Sequence, residues 1–290
     1  MALGAAARTR ISEFQTLNQI PRQYHEIGMY SMGKSGEPAG HPGERVGADL
    51  ADLAEWARVK LGFTPDGTQA KALRTKAKRG VLNCCRQWGK STVTASKAVH
   101  RAWSVAKSLT LVVSPSARQS GEFIRKAGAF AQALNIRPQG DGDNEISLAF
   151  PTDSRIVGLP GNEATVRGFS AVSLLLVDEA ARVHDDLYLA LRPMLAVSDG
   201  ELWLMSTPFG KRGFFYETWA HGGPEWERIR APATGCPRIP PAFLEEERAT
   251  MGERCFRQEY LCEFEDSVSG VFHRDLFDAA ITHDVLPLHL

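Results

Sequence analysis

A glycine, a lysine and a hydroxyl residue stand together at Gly89, Lys90 and Ser91, the end of the stretch NCCRQWGKST at residues 83–92. The spacing is that of a phosphate-binding loop, G-x-x-x-x-G-K-[ST], with Cys84 in place of the first glycine and Cys85, Arg86, Gln87 and Trp88 between the two fixed points. Gly89 lets backbone approach a phosphate, Lys90 brings a positive charge to the terminal phosphates, and the Ser91 hydroxyl is suited to magnesium. Exposed amides from Lys90 through Thr92, at the start of a helix, add anion affinity through the helix dipole. An ordinary strand-to-helix turn carrying an exposed lysine is the competing reading of the same residues.

Other segments carry compatible chemistry. In LLLVDEA, an apolar run ends in Asp178 and Glu179. Asp178 is suited to hold magnesium, largely through its water shell, and Glu179 to orient and deprotonate an attacking water. Such acids also cap buried strands without any catalytic role. Ser206 and Thr207 in WLMSTPFGKRG end the following apolar run, where hydroxyls can sense a γ-phosphate and relay the change. Gln69 in FTPDGTQ has an amide able to pair with adenine N6 and N7, which would favour ATP over GTP. Arg167, eleven residues before Asp178, is a candidate arginine finger for charge on a transferring phosphoryl group, or a loop arginine in a surface ion pair.

These residues need a scaffold, and the text between them supplies its grammar. GVLNCC, SLTLVVSP, AVSLLLVDEA and GELWLMSTP read as strands; KSTVTASKAVHRAWSVAK, with Val99, Ala102, Trp103 and Ala106 on one face, and ARQSGEFIRKAGAFAQAL read as helices. EISLAF and SRIVGL around PTD predict a hairpin, a helix is expected around Leu187 to Leu195, and Leu50, Leu53, Ala54, Ala57 and Leu61 share a helical face. Strand–helix alternation with almost wholly apolar strands predicts an α/β fold with a mainly parallel sheet covered on both faces. Residues 31–47 are rich in Gly, Pro and Ser and predict a leader and linker over 1–47; the Gly33–Ser35 copy of GKS lacks a preceding strand and is set aside.

The chain has 290 residues, 34 basic against 34 acidic, 43% hydrophobic and 23% charged. Zero net charge argues against a general charge-driven nucleic-acid or membrane binder, so polyanion contact must be local. KALRTKAKRG, with Lys71, Arg74, Lys76, Lys78 and Arg79, is either such a patch or a solvated helix face. Five cysteines, at 84, 85, 236, 255 and 262, show no zinc spacing and fit a reduced cytosolic setting. Neither a secretion signal nor an apolar span of membrane length is legible.

Taken in order, the segments resemble the ATPase part of the large terminase subunit of tailed bacteriophages, from about Leu50 to Phe272. FTPDGTQ matches its adenine-side motif, CCRQWGKST a deviant Walker A loop, LLLVDEAA Walker B and LMSTPFGKRGFFYETW the coupling motif, with LVVSPSARQS and VRGFS between. The resemblance implies a P-loop NTPase of the RecA-like ASCE class over 48–232, with a small hairpin insertion and a helical extension over 233–290. It implies ATP and Mg2+ as ligands, Arg86 and Lys90 on the phosphates, Arg167 reaching a neighbouring subunit's site, and Ser206 and Thr207 coupling hydrolysis to movement. The implied partners are double-stranded DNA, the portal protein and procapsid, a small terminase subunit, and further copies in a ring, in the host cytoplasm and with no membrane.

Large terminases continue into a nuclease whose clustered acids bind two metals. Only Asp275, Asp278 and Asp284 follow Val271 here, too few for such a site, and the chain is expected to lack cleavage activity. Two other readings share the motifs: a helicase-like nucleic-acid-dependent ATPase, and a non-catalytic remnant or assembly factor.

Overall fold

A computed structural model describes residues 52–144, 146–161 and 168–265. The expected leader over 1–47, Arg167 and the acids beyond Val271 lie outside the described residues. Strand β1 (Arg79–Cys84) leads into helix α3 (Lys90–Ser104), β2 (Leu109–Ser114) into α4 (Ala117–Ala133), and the hairpin β3 (Ser147–Ala149) and β4 (Arg155–Pro160) follows. Next come β5 (Leu174–Asp178), β6 (Glu201–Ser206) and β7 (Trp226–Ala231). Two short helices, α1 (Leu53–Leu61) and α2 (Gly67–Arg74), precede the sheet.

The strands form one seven-stranded sheet in the order β3-β4-β2-β5-β6-β1-β7, parallel throughout except for the β3–β4 hairpin. Alternate residues sort to its two faces: Leu82, Val112, Leu176 and Met205 pack with α1 to α4, while Val81, Val113, Val177 and Leu204 pack with residues 187–195 and 214–215. This double coverage is why the strands read as continuous apolar runs. Gly80 lies opposite Trp203, whose indole occupies the space a Cβ would take, so this position in β1 admits no side chain.

Local signals set the boundaries. Asp52 caps α1 by accepting from the Ala54 N–H at 2.9 Å, and Gly62 ends it at φ 65°. Asp66 and Gln69 form a reciprocal capping box on α2. The helix expected over 187–195 resolves into α5 (Asp185–Leu191) and a 3₁₀ turn at Arg192–Leu195, because Pro193 cannot continue the α-helical ladder. Helix α3 ends at Ser104, so Ala106 lies beyond its face.

β7 has no counterpart in the expected elements. Its sequence, WERIRA, alternates charged and apolar residues and it forms an edge of the sheet, so it lacks the apolar signature of the central strands. After β6 come α6 (Gly213–His221) and, beyond β7, the pair α7 (Pro241–Met251) and α8 (Glu253–Leu261).

Candidate active site

The order of the sheet assembles the site. β6 lies between β5 and β1, with Met205 opposite Asp178 and Ser206 opposite Asn83. The carboxyl ends of three neighbouring strands therefore bring Cys84, Glu179 and Ser206 to one edge, the place where open α/β sheets bind ligands.

From β1 the chain turns through Cys85 to Gly89 before α3 begins at Lys90. Gln87 takes φ 61° and Gly89 φ 96°. A Cβ on Gly89 would also meet Gln69 Nε2 at 3.0 Å, so backbone conformation and close approach both require glycine. The Thr92 and Val93 amides donate to the Gly89 carbonyl at 2.9 and 3.1 Å, which leaves those of Lys90 and Ser91 at the start of α3 with no helical carbonyl before them. Trp88 and both Cys84 and Cys85 are buried beneath it. Cys84 Sγ points to the Ser206 carbonyl, and burial pushes its thiol up; burial likewise pushes Cys85 up to about 12. These sulfurs are packing groups.

At the centre, Lys90 Nζ donates to Glu179 Oε1 at 2.6 Å, with side-chain exposures of 17% and 18%. Burial works against the ammonium, yet Asp178, Cys84 and Glu179 outweigh it and hold the Lys90 pKa above its ordinary value. Asp178 is more deeply enclosed: burial, with Glu179 beside it, raises its pKa against the pull of Lys90. Its Oδ1 accepts from the Glu179 N–H at 3.0 Å. Glu179 itself adopts φ 50°, a left-handed conformation that starts the 3₁₀ turn Ala180–Arg182. Ser206 Oγ donates to the Thr207 carbonyl at 2.7 Å and lies 3.5 Å from Glu179 Oε2. Ser206 thus reaches Glu179 from the next strand, and Thr207 lines the cavity beside it.

A cavity of about 370 Å³ opens here, lined by Arg86, Gly89, Lys90, Ser91, Glu179 and Thr207, and also by Gln119 and Lys126 of α4 and by Arg182. The last three were not singled out from the sequence. Arg182 alone had a readable signal, its place three residues after Glu179.

Gln69 and Arg86 are engaged within the chain. Gln69 is buried, donates from Nε2 to the Trp88 carbonyl at 2.8 Å and accepts from the Asp66 N–H at 3.0 Å. Arg238 donates to the same Trp88 carbonyl at 2.6 Å. The glutamine therefore braces the phosphate loop. Arg86 donates from Nε to Glu259 Oε2 of α8 at 2.8 Å and is largely exposed.

The oxygen donors fit magnesium. Asp178 supplies a buried carboxylate whose charge burial disfavours, and Ser91, at the start of α3, lines the cavity together with Glu179, the residue after Asp178. Among the described residues no group of three or more His, Cys, Asp and Glu could hold a metal, so an ion here would need a ligand's oxygens and water as well, the usual habit of magnesium.

The basic stretch lies at the other end of β1. Lys71 pairs with Glu227 at 3.2 Å, Arg74 with Asp52 at 2.8 Å, and Lys78 with Asp199. These exposed pairs make a solvated face.

A family model described as "Terminase large subunit, T4likevirus-type, N-terminal" matches residues 81–279. The chain belongs to the large terminase subunit family. Among curated large terminases it is 26% identical over 248 residues to that of Thermus virus P23-45, covering 73% of this chain and 51% of the relative. It is 28% identical over 242 residues to that of Escherichia phage T5, covering 77% and 52%. The chain spans about half the length of these relatives. Among solved structures, the large terminase ATPase domain of Thermus phage P74-26 superposes with a TM-score of 0.62 at 24% identity, over 72% of this chain and 97% of that one. The HK97 bacteriophage large terminase gives 0.61 at 14% identity, over 78% and 57%. Both show the same fold, with its parallel sheet and flanking helices. No helix among the described residues is long and apolar enough to cross a membrane.

Proposed function

We propose that this terminase chain is an ATP-hydrolysing motor domain that couples hydrolysis to movement of double-stranded DNA into a procapsid. The observation that carries the reading is the half-buried Lys90–Glu179 pair at the mouth of the phosphate loop. A lysine held by the acid that must later act as base is a site waiting for an anion. When ATP phosphates enter the cavity, Lys90 turns from Glu179 to them, and the freed Oε1 accepts the proton of a water aimed at the γ-phosphorus.

Amides at the start of α3 hold the phosphates, and Arg86 exchanges Glu259 for a phosphate oxygen. Ser91 and Asp178 would hold Mg2+, which when bound neutralises charge developing on the β- and γ-oxygens. Ser206 and Thr207, against Glu179, register the loss of the γ-phosphate and pass it to the segment leading into α6. Arg167 acts in the neighbouring subunit's site within a ring. Portal protein, procapsid and a small terminase subunit are the partners, with action in the host cytoplasm, transiently at the portal.

Phosphate release, measured with and without duplex DNA and procapsid, tests the reading. Stimulation by duplex with procapsid is expected; stimulation by single strands alone would favour the helicase-like alternative.

A further inference from the structure

Arg182 belongs to none of the motifs that define the site, yet it lines the cavity and touches Glu179, Glu259 and Phe209 together. The 3₁₀ turn Ala180–Arg182 closes with the Arg182 N–H donating to the Glu179 carbonyl at 2.8 Å. In such a turn residues three apart eclipse, so the Arg182 side chain returns over Glu179. Its Nη1 lies 3.4 Å from Glu179 Oε2 and its Nη2 lies 3.7 Å from Glu259 Oε1 on α8. The guanidinium is centred 4.7 Å from the ring of Phe209, three residues beyond Ser206, and Arg212 sits 4.9 Å from the same ring.

We infer that Arg182 is a positioning residue for Glu179, holding Oε2 so that Oε1 is presented to the attacking water. The inference rests on the ATPase reading. Before phosphates bind, Lys90 fixes Oε1. Once phosphates draw Lys90 away, Glu179 has lost the cation that fixed Oε1, and its carboxylate is free to turn outward. Arg182 is the cation that remains, because its own anchors, Glu259 and the Phe209 ring, lie outside the phosphate cradle. Ser206, at 3.5 Å from the same oxygen, is a neutral hydroxyl that donates to the Thr207 carbonyl at 2.7 Å, so it brings no positive charge to hold the carboxylate. The guanidinium fork suits the task better than an ammonium, since it meets Glu179 and Glu259 through separate nitrogens. The stack on Phe209 also makes the orientation of Glu179 sensitive to any displacement of the segment after Thr207.

The test is steady-state phosphate release and fluorescent-nucleotide binding by the whole chain, comparing wild type, Arg182→Ala and Arg182→Lys at matched thermal stability. A residue acting through the base should lower kcat about 10- to 100-fold in Arg182→Ala, with KM and nucleotide affinity within about twofold, and Arg182→Lys should recover part of the loss. Unchanged kcat in Arg182→Ala, or a raised KM at full kcat, would overturn the inference while leaving the ATPase reading intact. Absence of turnover in wild type at concentrations that promote assembly would overturn both. Should Arg182→Ala fail to fold, Phe209→Leu, which removes the ring beneath both Arg182 and Arg212, is expected to lower kcat by a smaller factor with KM unchanged; a wild-type kcat there would count against the inference.

Discussion

Lys90 Nζ and Glu179 Oε1 are 2.6 Å apart, and each side chain is less than a fifth exposed. The lysine opens α3 and the glutamate follows β5, so the contact spans the intervening strand β6. It pairs two charges that the reaction must later separate. A double-mutant cycle of Lys90→Met and Glu179→Gln, read by denaturant unfolding without nucleotide, should therefore give a coupling of about 1–3 kcal/mol. Lys90→Met alone should be the worst variant, since it leaves Glu179 beside Asp178 with no ammonium.

Gln69 is expected to matter for stability as well as for nucleotide. Its amide joins the α2 cap to the Trp88 carbonyl in a buried setting. Gln69→Ala should destabilise the apo chain by about 1–2 kcal/mol and weaken nucleotide binding, and thermal unfolding beside a binding titration checks both. A loss of affinity with no loss of stability would return the residue to a direct base contact.

Much of the site was legible in the sequence because its residues sit at strand ends, and strand ends are marked by the change from apolar to polar text. Cys85 to Ser91, Glu179 and Thr207 line the cavity, Asp178 and Ser206 contact Glu179, and Cys84 points to the Ser206 carbonyl. What escaped notice came from elements without that mark. β7 alternates because it is an edge strand; Gln119 and Lys126 face the cavity from the exposed side of α4; Glu259 arrives from a helix with no motif. The sequence presents Gln69 as a nucleotide contact, and no pattern in it shows that the Trp88 carbonyl faces its side chain.

His100, on α3, is a pH-sensitive element remote from the chemistry. Its ring meets Trp56 edge-on at 4.7 Å, and burial, with Lys97 and Arg101 beside it and only Glu201 opposing, lowers its pKa to about 4. An unfolded histidine titrates near 6.5, so between about 6.5 and 4 the unfolded chain binds the extra proton. Stability should therefore fall as pH drops through that window, by on the order of 3 kcal/mol from this group. His100→Phe keeps an aromatic ring against Trp56, and its unfolding free energy should show a shallower slope than wild type over the same range.

Asp178 separates function from stability. Burial already disfavours its charge, so Asp178→Asn should leave the apo chain within about 1 kcal/mol of wild type. The same variant should lose magnesium-dependent phosphate release, and a chelator should abolish release by wild type. Retained, chelator-sensitive turnover in Asp178→Asn would move the metal ligand elsewhere.

The central claim is that Glu179, freed from Lys90, activates water at an ATP γ-phosphate. Phosphate release by wild type and Glu179→Gln, with ATP and magnesium at protein concentrations that promote assembly, tests it most directly. The account predicts measurable wild-type turnover and a loss of about 100-fold or more in the variant, with nucleotide binding retained. Equal rates in the two proteins would contradict it.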